Sequence, residues 1–412
     1  MSTDTNESIY FEIDGNQYHK EPTLDEFIDD AGLVKSSQHR RVALAFDKAD
    51  ITDIRQVLLL SEYQLSELEG ISPVSAKQLY LHSVRVRSKG SFVKTVEEIL
   101  EVEQRYDYLM TGSMQLDLAL YHPTGNFGWR SNTMVELVGE PNTGKTQLLY
   151  TTAVNAMSPP EKGGWNCSVL WIDTTNTFSA HRLQSIAEQV EVDISHKLFV
   201  AKPMNFDELE LALHEAFQQS DDIRLIIIDD IITPLKSQYP TGGHDIVNIK
   251  PKQKHLRRVL HHLRNFAYLY NGLVMYTNHV RKNIFNYRPG LPEEVPTGGF
   301  VLSYANTMRI VMEEAPRSTR DKYIDSHAVR NSPSKMIRAR ITNCGFLPDC
   351  EGAFLLGKMG ITHASPDALK DIIDEWMDTE IAKIDGFHKE HMSRYPGSDK
   401  KRVSKTKRKP LD

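Results

Sequence analysis

The octapeptide GEPNTGKT, residues 139–146, restricts the possible folds of this chain more than any other stretch. It fits G-x-x-x-x-G-K-[ST]. The glycines of that pattern let the backbone turn its N–H groups toward phosphate oxygens, the lysine neutralises the β and γ groups, and the hydroxyl reaches Mg²⁺. A loop of this kind needs a buried strand before it and a helix after it, because the helix N-terminus turns aligned peptide dipoles on the anion. Both flanks comply: apolar MVELV (134–138) precedes the loop and TQLLYTTAVNAM (146–157) continues as a helix. Lys145 and Thr146 are therefore the first candidate site residues, in a nucleotide cradle built from Gly139, Glu140, Pro141, Asn142, Thr143 and Gly144.

A strand bearing such a loop requires neighbours. Apolar segments recur at SVLWI (168–172), KLFVA (197–201), RLIIID (224–229), GLVMYT (272–277) and KMIRARIT (335–342), most of them separated by helical segments. This alternation predicts an α/β fold, a P-loop ATPase core whose mainly parallel central sheet is covered on both faces. RLIIIDD places Asp229 after four apolar residues, where a carboxylate at a strand end faces the water shell of a metal; Asp230 reads as a helix cap. Residues 26–88 have another pattern, short amphipathic segments with a break at Gly70, which predicts helix, glycine turn, helix. Residues 313–334 are polar without strong periodicity and read as a long surface insertion.

Composition excludes several classes. Hydrophobic residues at 40% and charged residues at 25% rule out general disorder. No apolar run approaches the roughly 20 residues of a membrane span, and the start MSTDTNESIYFEIDG is polar and acidic, so a soluble, unsecreted protein with no membrane partner is expected. Cys167, Cys344 and Cys350 form no CxxC pair and fit small core residues in a reducing compartment. The net charge of -6 conceals an asymmetry, because residues 400–409, KKRVSKTKRK, contain only Lys and Arg among charged residues. That run is either a solvated end or a tail for nuclear import or nucleic-acid binding. The chain is expected to divide into a disordered N-terminus 1–25, a helical domain 26–88, a linker 89–111, an ATPase core 112–387 and a basic disordered tail 388–412.

In order and spacing, GSMQLDLAL (112–120), GEPNTGKTQ, WIDTTNTFSAHRL (171–183), IIIDD (226–230), the long KQKHLRRVLHHLRNFAYLYNGLVMYTNHV (252–280) and PTGGFVLSYANTMRI (296–310) resemble the RecA/RadA family of DNA recombinases, in particular its eukaryotic and archaeal branch. The resemblance extends over about residues 50–362. ELEGISPVSAKQL (67–79) resembles that branch's N-terminal helical domain, helix-hairpin-helix-like. What the resemblance implies is a RecA-type core that uses ATP and Mg²⁺. Members assemble on single-stranded DNA and pair it with homologous duplex, whereas paralogues form smaller complexes that help the main recombinase load.

Carried over residue by residue, Gly139, Gly144, Lys145, Thr146, Gln147 and Asp229 agree with the family, and Arg182 matches a position near the nucleotide. The family's catalytic glutamate, in D-T-E-G-T-F, falls on Thr175 in D-T-T-N-T-F. A threonine hydroxyl is no general base near neutral pH, and losing a positioned base costs about 10² to 10⁴ in rate. In TNHV, His279 stands where the family has a Gln that couples the γ-phosphate to the DNA loop. Tyr304 replaces a His that reaches the neighbouring subunit's nucleotide. The capping segment GFLPDCEGAF (345–354) keeps Pro348, preceded by Asn343 where an acid is usual. Two outcomes stay open: firm ATP binding with slow hydrolysis, or an alternative base supplied by Glu140 or Asp230.

Residues 281–299, RKNIFNYRPGLPEEVPTGG, correspond to the family's second DNA-binding loop. From the residues alone, Arg281, Lys282 and Arg288 flank Phe285 and Tyr287, joining phosphate attraction to faces on which unstacked bases lie. Gly298 and Gly299 supply a hinge, Glu293 and Glu294 oppose DNA, and the competing reading is an ordinary mobile loop. The first loop (237–254) offers Lys250 and Lys252. It leads into a helix with Leu256, Leu260, Leu263 and Ala267 on one stripe and a solvated basic face of Arg257, Arg258, His261, His262 and Arg264. Phe92 and Thr95 resemble the family's F-x-x-A plug into the next subunit, with a Thr whose extra volume disfavours self-polymerisation.

Together these expectations describe a nuclear, single-stranded-DNA-binding protein of homologous recombination and double-strand-break repair. The first choice is a paralogue or mediator with slow ATP hydrolysis, partnered by a RecA/RadA-type recombinase or paralogue. The alternatives are an active, filament-forming strand-exchange recombinase, which would be a homo-oligomer, and a non-catalytic scaffold.

Overall fold

The computed structural model describes residues 11–13, 16–18, 23–34, 36–88, 93–220, 222–238, 249–282, 294–297, 299–315, 335–357 and 360–362. A short hairpin, β1 (Phe11–Ile13) and β2 (Asn16–Tyr18), lies within the stretch expected to be disordered. Five helices follow: α1 (Leu24–Asp30), α2 (Ser36–Lys48), α3 (Ile54–Leu59), α4 (Glu62–Glu67) and α5 (Pro73–Arg87). Their starts are fixed by local chemistry, since Thr23, Asp53, Ser61 and Ser72 each accept a hydrogen bond from the first helical turn. The helices close over Phe27, Phe46, Val57, Leu58, Leu65 and Leu79. Gly70 turns the chain between α4 and α5 with φ of 101°, and a Cβ there would meet the Arg41 carbonyl of α2 at 3.7 Å. The turn therefore packs on α2.

A connecting stretch carries α6 (Val96–Glu103), β3 (Tyr108–Leu109), α7 (Met114–Ala119) and β4 (Trp129–Arg130), with β3 and β4 paired antiparallel. The core then alternates: β5 (Thr133–Gly139), α8 (Lys145–Met157), β6 (Ser168–Asp173), α9 (Ala180–Gln189), β7 (Leu198–Ala201), α10 (Phe206–Gln219) and β8 (Ile223–Asp229). Next come α11 (Thr233–Gln238), α12 (Ile249–Leu269), β9 (Leu273–Lys282), β10 (Glu294–Pro296), α13 (Gly299–Ala305), β11 (Met308–Glu314), β12 (Lys335–Thr342), β13 (Cys350–Gly357) and β14 (Gly360–Thr362). The sheet order is β14-β13-β12-β11-β5-β9-β8-β6-β7, with β10 paired to β9. From β11 to β7 the neighbours are parallel. The strands from β12 onward extend the sheet antiparallel.

Every residue of β5 and β6 is buried, as continuous apolar strands covered on both faces must be. Val135 and Leu137 point into a cluster under α8 and α9, and Met134 points into another under α10 and α12. The strand segments expected from the sequence all appear, but β11, β13 and β14 were not among them. Glu313 and Glu314 belong to β11 rather than to an insertion; residues 316–334 lie outside the described set.

The helix after the first loop also begins earlier than expected. Lys250 and Lys252 fall within its first turn. Leu256, Leu260, Leu263 and Ala267 are its buried stripe. Its basic face is not simply solvated: Arg258 pairs with Glu210 at 2.5 Å and approaches Glu67 of α4 at 3.9 Å. His262 Nε2 lies 2.5 Å from the Gln64 amide, and the Asn265 amide donates to the Leu59 carbonyl at 3.0 Å. These partners are far apart in sequence, and they dock the N-terminal helices onto α12.

Candidate nucleotide site

At the end of β5 the chain turns through Glu140, Pro141 and Asn142, all exposed, into the buried Thr143, Gly144 and Lys145. Two positions exclude a side chain. A Cβ on Gly139 would lie 2.3 Å from the Met312 carbonyl, and one on Gly144, at φ of 82°, would lie 2.6 Å from Leu356. The Thr143 hydroxyl donates to the Glu140 carbonyl at 2.8 Å, closing the turn. Gly144 is the N-cap of α8, so the helix directs its positive end into the loop.

Lys145 Nζ donates to the carbonyls of Gly139 at 2.8 Å and Glu140 at 2.7 Å. Burial lowers its pKa, while Asp229, Asp230 and Glu140 oppose the shift. The Thr146 hydroxyl donates to Asp229 Oδ2 at 2.7 Å, and the Thr277 hydroxyl donates to Asp229 Oδ1. Burial raises the Asp229 pKa, and the two hydroxyls counter it. A partly dehydrated carboxylate beside a hydroxyl at the mouth of a phosphate cradle is a hard-oxygen pair suited to magnesium through its water shell. Sequence reading missed Thr277; once β8 and β9 are aligned with Ile228 opposite Tyr276, the following pair must meet.

On the other side, Arg182 Nε and Nη2 donate to Gln147 Oε1 at 2.9 and 2.7 Å, so these two candidates come together across α8 and α9. Thr175 reaches Thr177 at 2.7 Å, with longer contacts to Asp173 at 3.4 Å and to the Asp229 carbonyl at 3.5 Å. It stands beside the Asp229 end of the site and carries no carboxylate. The adjacent acids are engaged elsewhere. Asp173 accepts from the backbone N–H of Thr177 and Phe178 at 3.1 and 3.0 Å. Asp230 Oδ1 accepts from the N–H groups of Ile232 and Thr233, as a cap, and Oδ2 lies 2.7 Å from His279 Nε2. Burial works to raise the Asp230 pKa, but the His279 hydrogen bond and the Thr233 contacts together hold it below the usual carboxylate range. Glu140 is exposed.

A family model for Rad51 matches residues 104–363, more than half of the chain and all of the site just described. The chain belongs to the Rad51 family. Membership gives it a RecA-like ATP-binding core and a place in homologous recombination and DNA repair. Rad51-family proteins bind ATP with Mg²⁺, and the side chains here fit that pair: glycines where a Cβ would fill the cradle, a buried ammonium, and the Thr146–Asp229 contact. When bound, that pair supplies a phosphoanhydride and a divalent charge. The chain's own contribution is to hold them against β5, α8 and β8.

The remaining Rad51-type candidates are placed unevenly. His279 lies opposite Gly139 in the parallel β5–β9 register, beside the cradle. Tyr304 is 79% exposed on α13; two residues beyond that helix the Thr307 N–H donates to the Met134 carbonyl at the start of β5, the strand end away from the cradle. Arg281 and Lys282 continue β9 and pair with Val295 and Glu294; with Lys250, Lys252 and Gly299 they are described by backbone alone. Phe92, Phe285, Tyr287, Arg288, Gly298 and the basic tail lie outside the described residues. Thr95 has a local task not expected for it: it caps α6 in a reciprocal pair with Glu98. The T-x-x-E pattern was the available signal. Among the described residues no helix is long and apolar enough to cross a membrane.

Proposed function

We propose that the chain is an ATP- and Mg²⁺-dependent single-stranded-DNA-binding protein that hydrolyses its nucleotide slowly and works in the nucleus beside a RecA/RadA-type recombinase or paralogue. The observation that carries this reading is Thr175. It occupies the Asp229 side of the site while Asp173 and Asp230 are held by other partners. Without a positioned base, bound nucleotide persists and acts as a switch that orders loops and an interface. The cap role of Thr95 adds support for a protein that joins hetero-complexes rather than long filaments of itself, since a residue fixed at a helix start is poorly placed to fill a neighbour's small pocket.

The direct test is binding to an oligo-dT strand with and without ATP and Mg²⁺, followed by particle sizing. Nucleotide-dependent binding in short or discrete particles is expected. Binding indifferent to ATP would overturn the switch, and long uniform filaments would replace this reading with that of an active strand-exchange recombinase.

A further inference from the structure

One fully buried carboxylate takes no part in the nucleotide site. Glu136, in the middle of β5, is 0% exposed. Its Oε1 accepts from the Asn278 amide at 2.7 Å, and its Oε2 accepts from the Asn306 amide at 2.5 Å and from Arg309 Nε at 2.8 Å. Asn343, the residue that replaces an acid in the capping segment, donates to Asn306 Oδ1 at 2.8 Å and to the Ser303 carbonyl at 3.1 Å. A buried polar network this complete has one geometry, because each missing donor would leave an unsatisfied charge.

Asn278 is the member that reaches outward. Besides Glu136, its amide donates to the Thr297 carbonyl at 2.7 Å, and its Oδ1 accepts from the His279 N–H at 2.8 Å. The Thr297 N–H returns to the His279 carbonyl at 2.9 Å. Thr297 directly follows β10, whose Pro296 is paired to Val280 of β9. His279, in turn, is held by Asp230 beside the cradle.

We propose that Asn278, aimed by Glu136, is a positioning residue that fixes the C-terminal foot of the candidate DNA loop to the nucleotide-facing end of β9. The consequence for DNA rests on the function proposed above, but the anchoring does not. Asn278→Ala removes the donor of Glu136 Oε1, and Asn306→Ala removes one of the two donors of Oε2, where Arg309 remains. Only the first releases Thr297. A purely structural role for the network spreads the effect of Asn278→Ala to the peptides of β5 and β11 around Glu136, whereas an anchor confines it to the peptide containing Thr297.

The test is hydrogen exchange of the peptide spanning 294–300 in the full chain, first without ligand. Asn278→Ala is expected to speed exchange there by about three- to tenfold, the loss of one or two buried hydrogen bonds, whereas Asn306→Ala leaves it close to wild type. Equal acceleration in both, acceleration in Asn278→Ala that spreads to the β5 and β11 peptides, or none in Asn278→Ala, overturns the proposal. Oligo-dT binding measured on the same three proteins then separates the two ideas. Should wild type bind DNA with ATP, Asn278→Ala should lose most of the ATP-dependent tightening and Asn306→Ala keep it, and retention in Asn278→Ala counts against coupling. Should wild type bind no DNA, the functional reading falls while the exchange result still decides the anchor.

Discussion

The Thr146 hydroxyl donates to Asp229 Oδ2 across 2.7 Å, joining the first turn of α8 to the last residue of β8 over 83 positions of sequence. Lys145 lies next to that contact and is turned onto the loop carbonyls. Replacing Lys145 with Ala removes a charge-assisted phosphate contact of about 1.5–3 kcal/mol, a tenfold or greater loss of nucleotide affinity. Titration with a fluorescent ATP analogue measures it, alongside circular dichroism to show an intact fold. Undiminished affinity in Lys145→Ala would remove the loop from the site.

Asp229→Asn separates stability from function. The folded-state pKa of Asp229 is raised, foremost by burial, so its favourable contribution exists at low pH and is lost as pH rises through that pKa. Near neutral pH, holding this carboxylate in its buried site is a net cost. Asp229→Asn is therefore expected to stabilise the apo protein by about 1 kcal/mol near neutral pH, with no gain near pH 4, while abolishing the Mg²⁺ dependence of nucleotide binding. Denaturant unfolding at the two pH values and nucleotide titration with and without Mg²⁺ are the measurements.

What the sequence made legible followed periodicity and local chemistry. The strands SVLWI and RLIIID announce themselves as apolar runs, and the loop with its flanks defines the cradle. Glu136 was hidden because MVELV reads as an apolar strand, and its partners Asn278, Asn306 and Arg309 lie 142 to 173 residues away. The same distance concealed the His279–Asp230 pair, which needs β8 and β9 side by side. β13 escaped because its first residues sit in GFLPDCEGAF, where Pro, Gly and acidic residues mask an edge-side strand. By contrast, the capping box at Thr95 is legible in the local T-x-x-E pattern, which needs no distant partner.

The docking of the helical module should respond to acid through His262. Burial pushes its pKa down to about 4, and nearby His261 and Arg258 add to the effect. A folded-state pKa below the ordinary 6.5 favours the neutral ring, so the contribution is complete above pH 6.5 and is lost as pH falls toward 4. The thermal midpoint is expected to drop across that window in wild type and to drop less in His262→Gln. Parallel curves for the two proteins would place the acid sensitivity elsewhere.

Thr95→Ala distinguishes a cap from a plug. Losing the cap should weaken α6 by about 1 kcal/mol, seen as faster amide exchange over 96–103. Restoring the small residue of the plug is expected to leave particle size unchanged, because the cap explains this threonine without a neighbouring subunit. Long filaments appearing in Thr95→Ala would show that the threonine alone blocks self-assembly.

The central claim is that nucleotide is held firmly and spent slowly because a hydroxyl stands where a carboxylate base would act. Steady-state ATP hydrolysis with oligo-dT, compared between wild type and Thr175→Glu, tests it most directly. Slow turnover in wild type, raised by about 10² or more in Thr175→Glu, is the predicted result. Brisk wild-type turnover that the added carboxylate does not increase would contradict it.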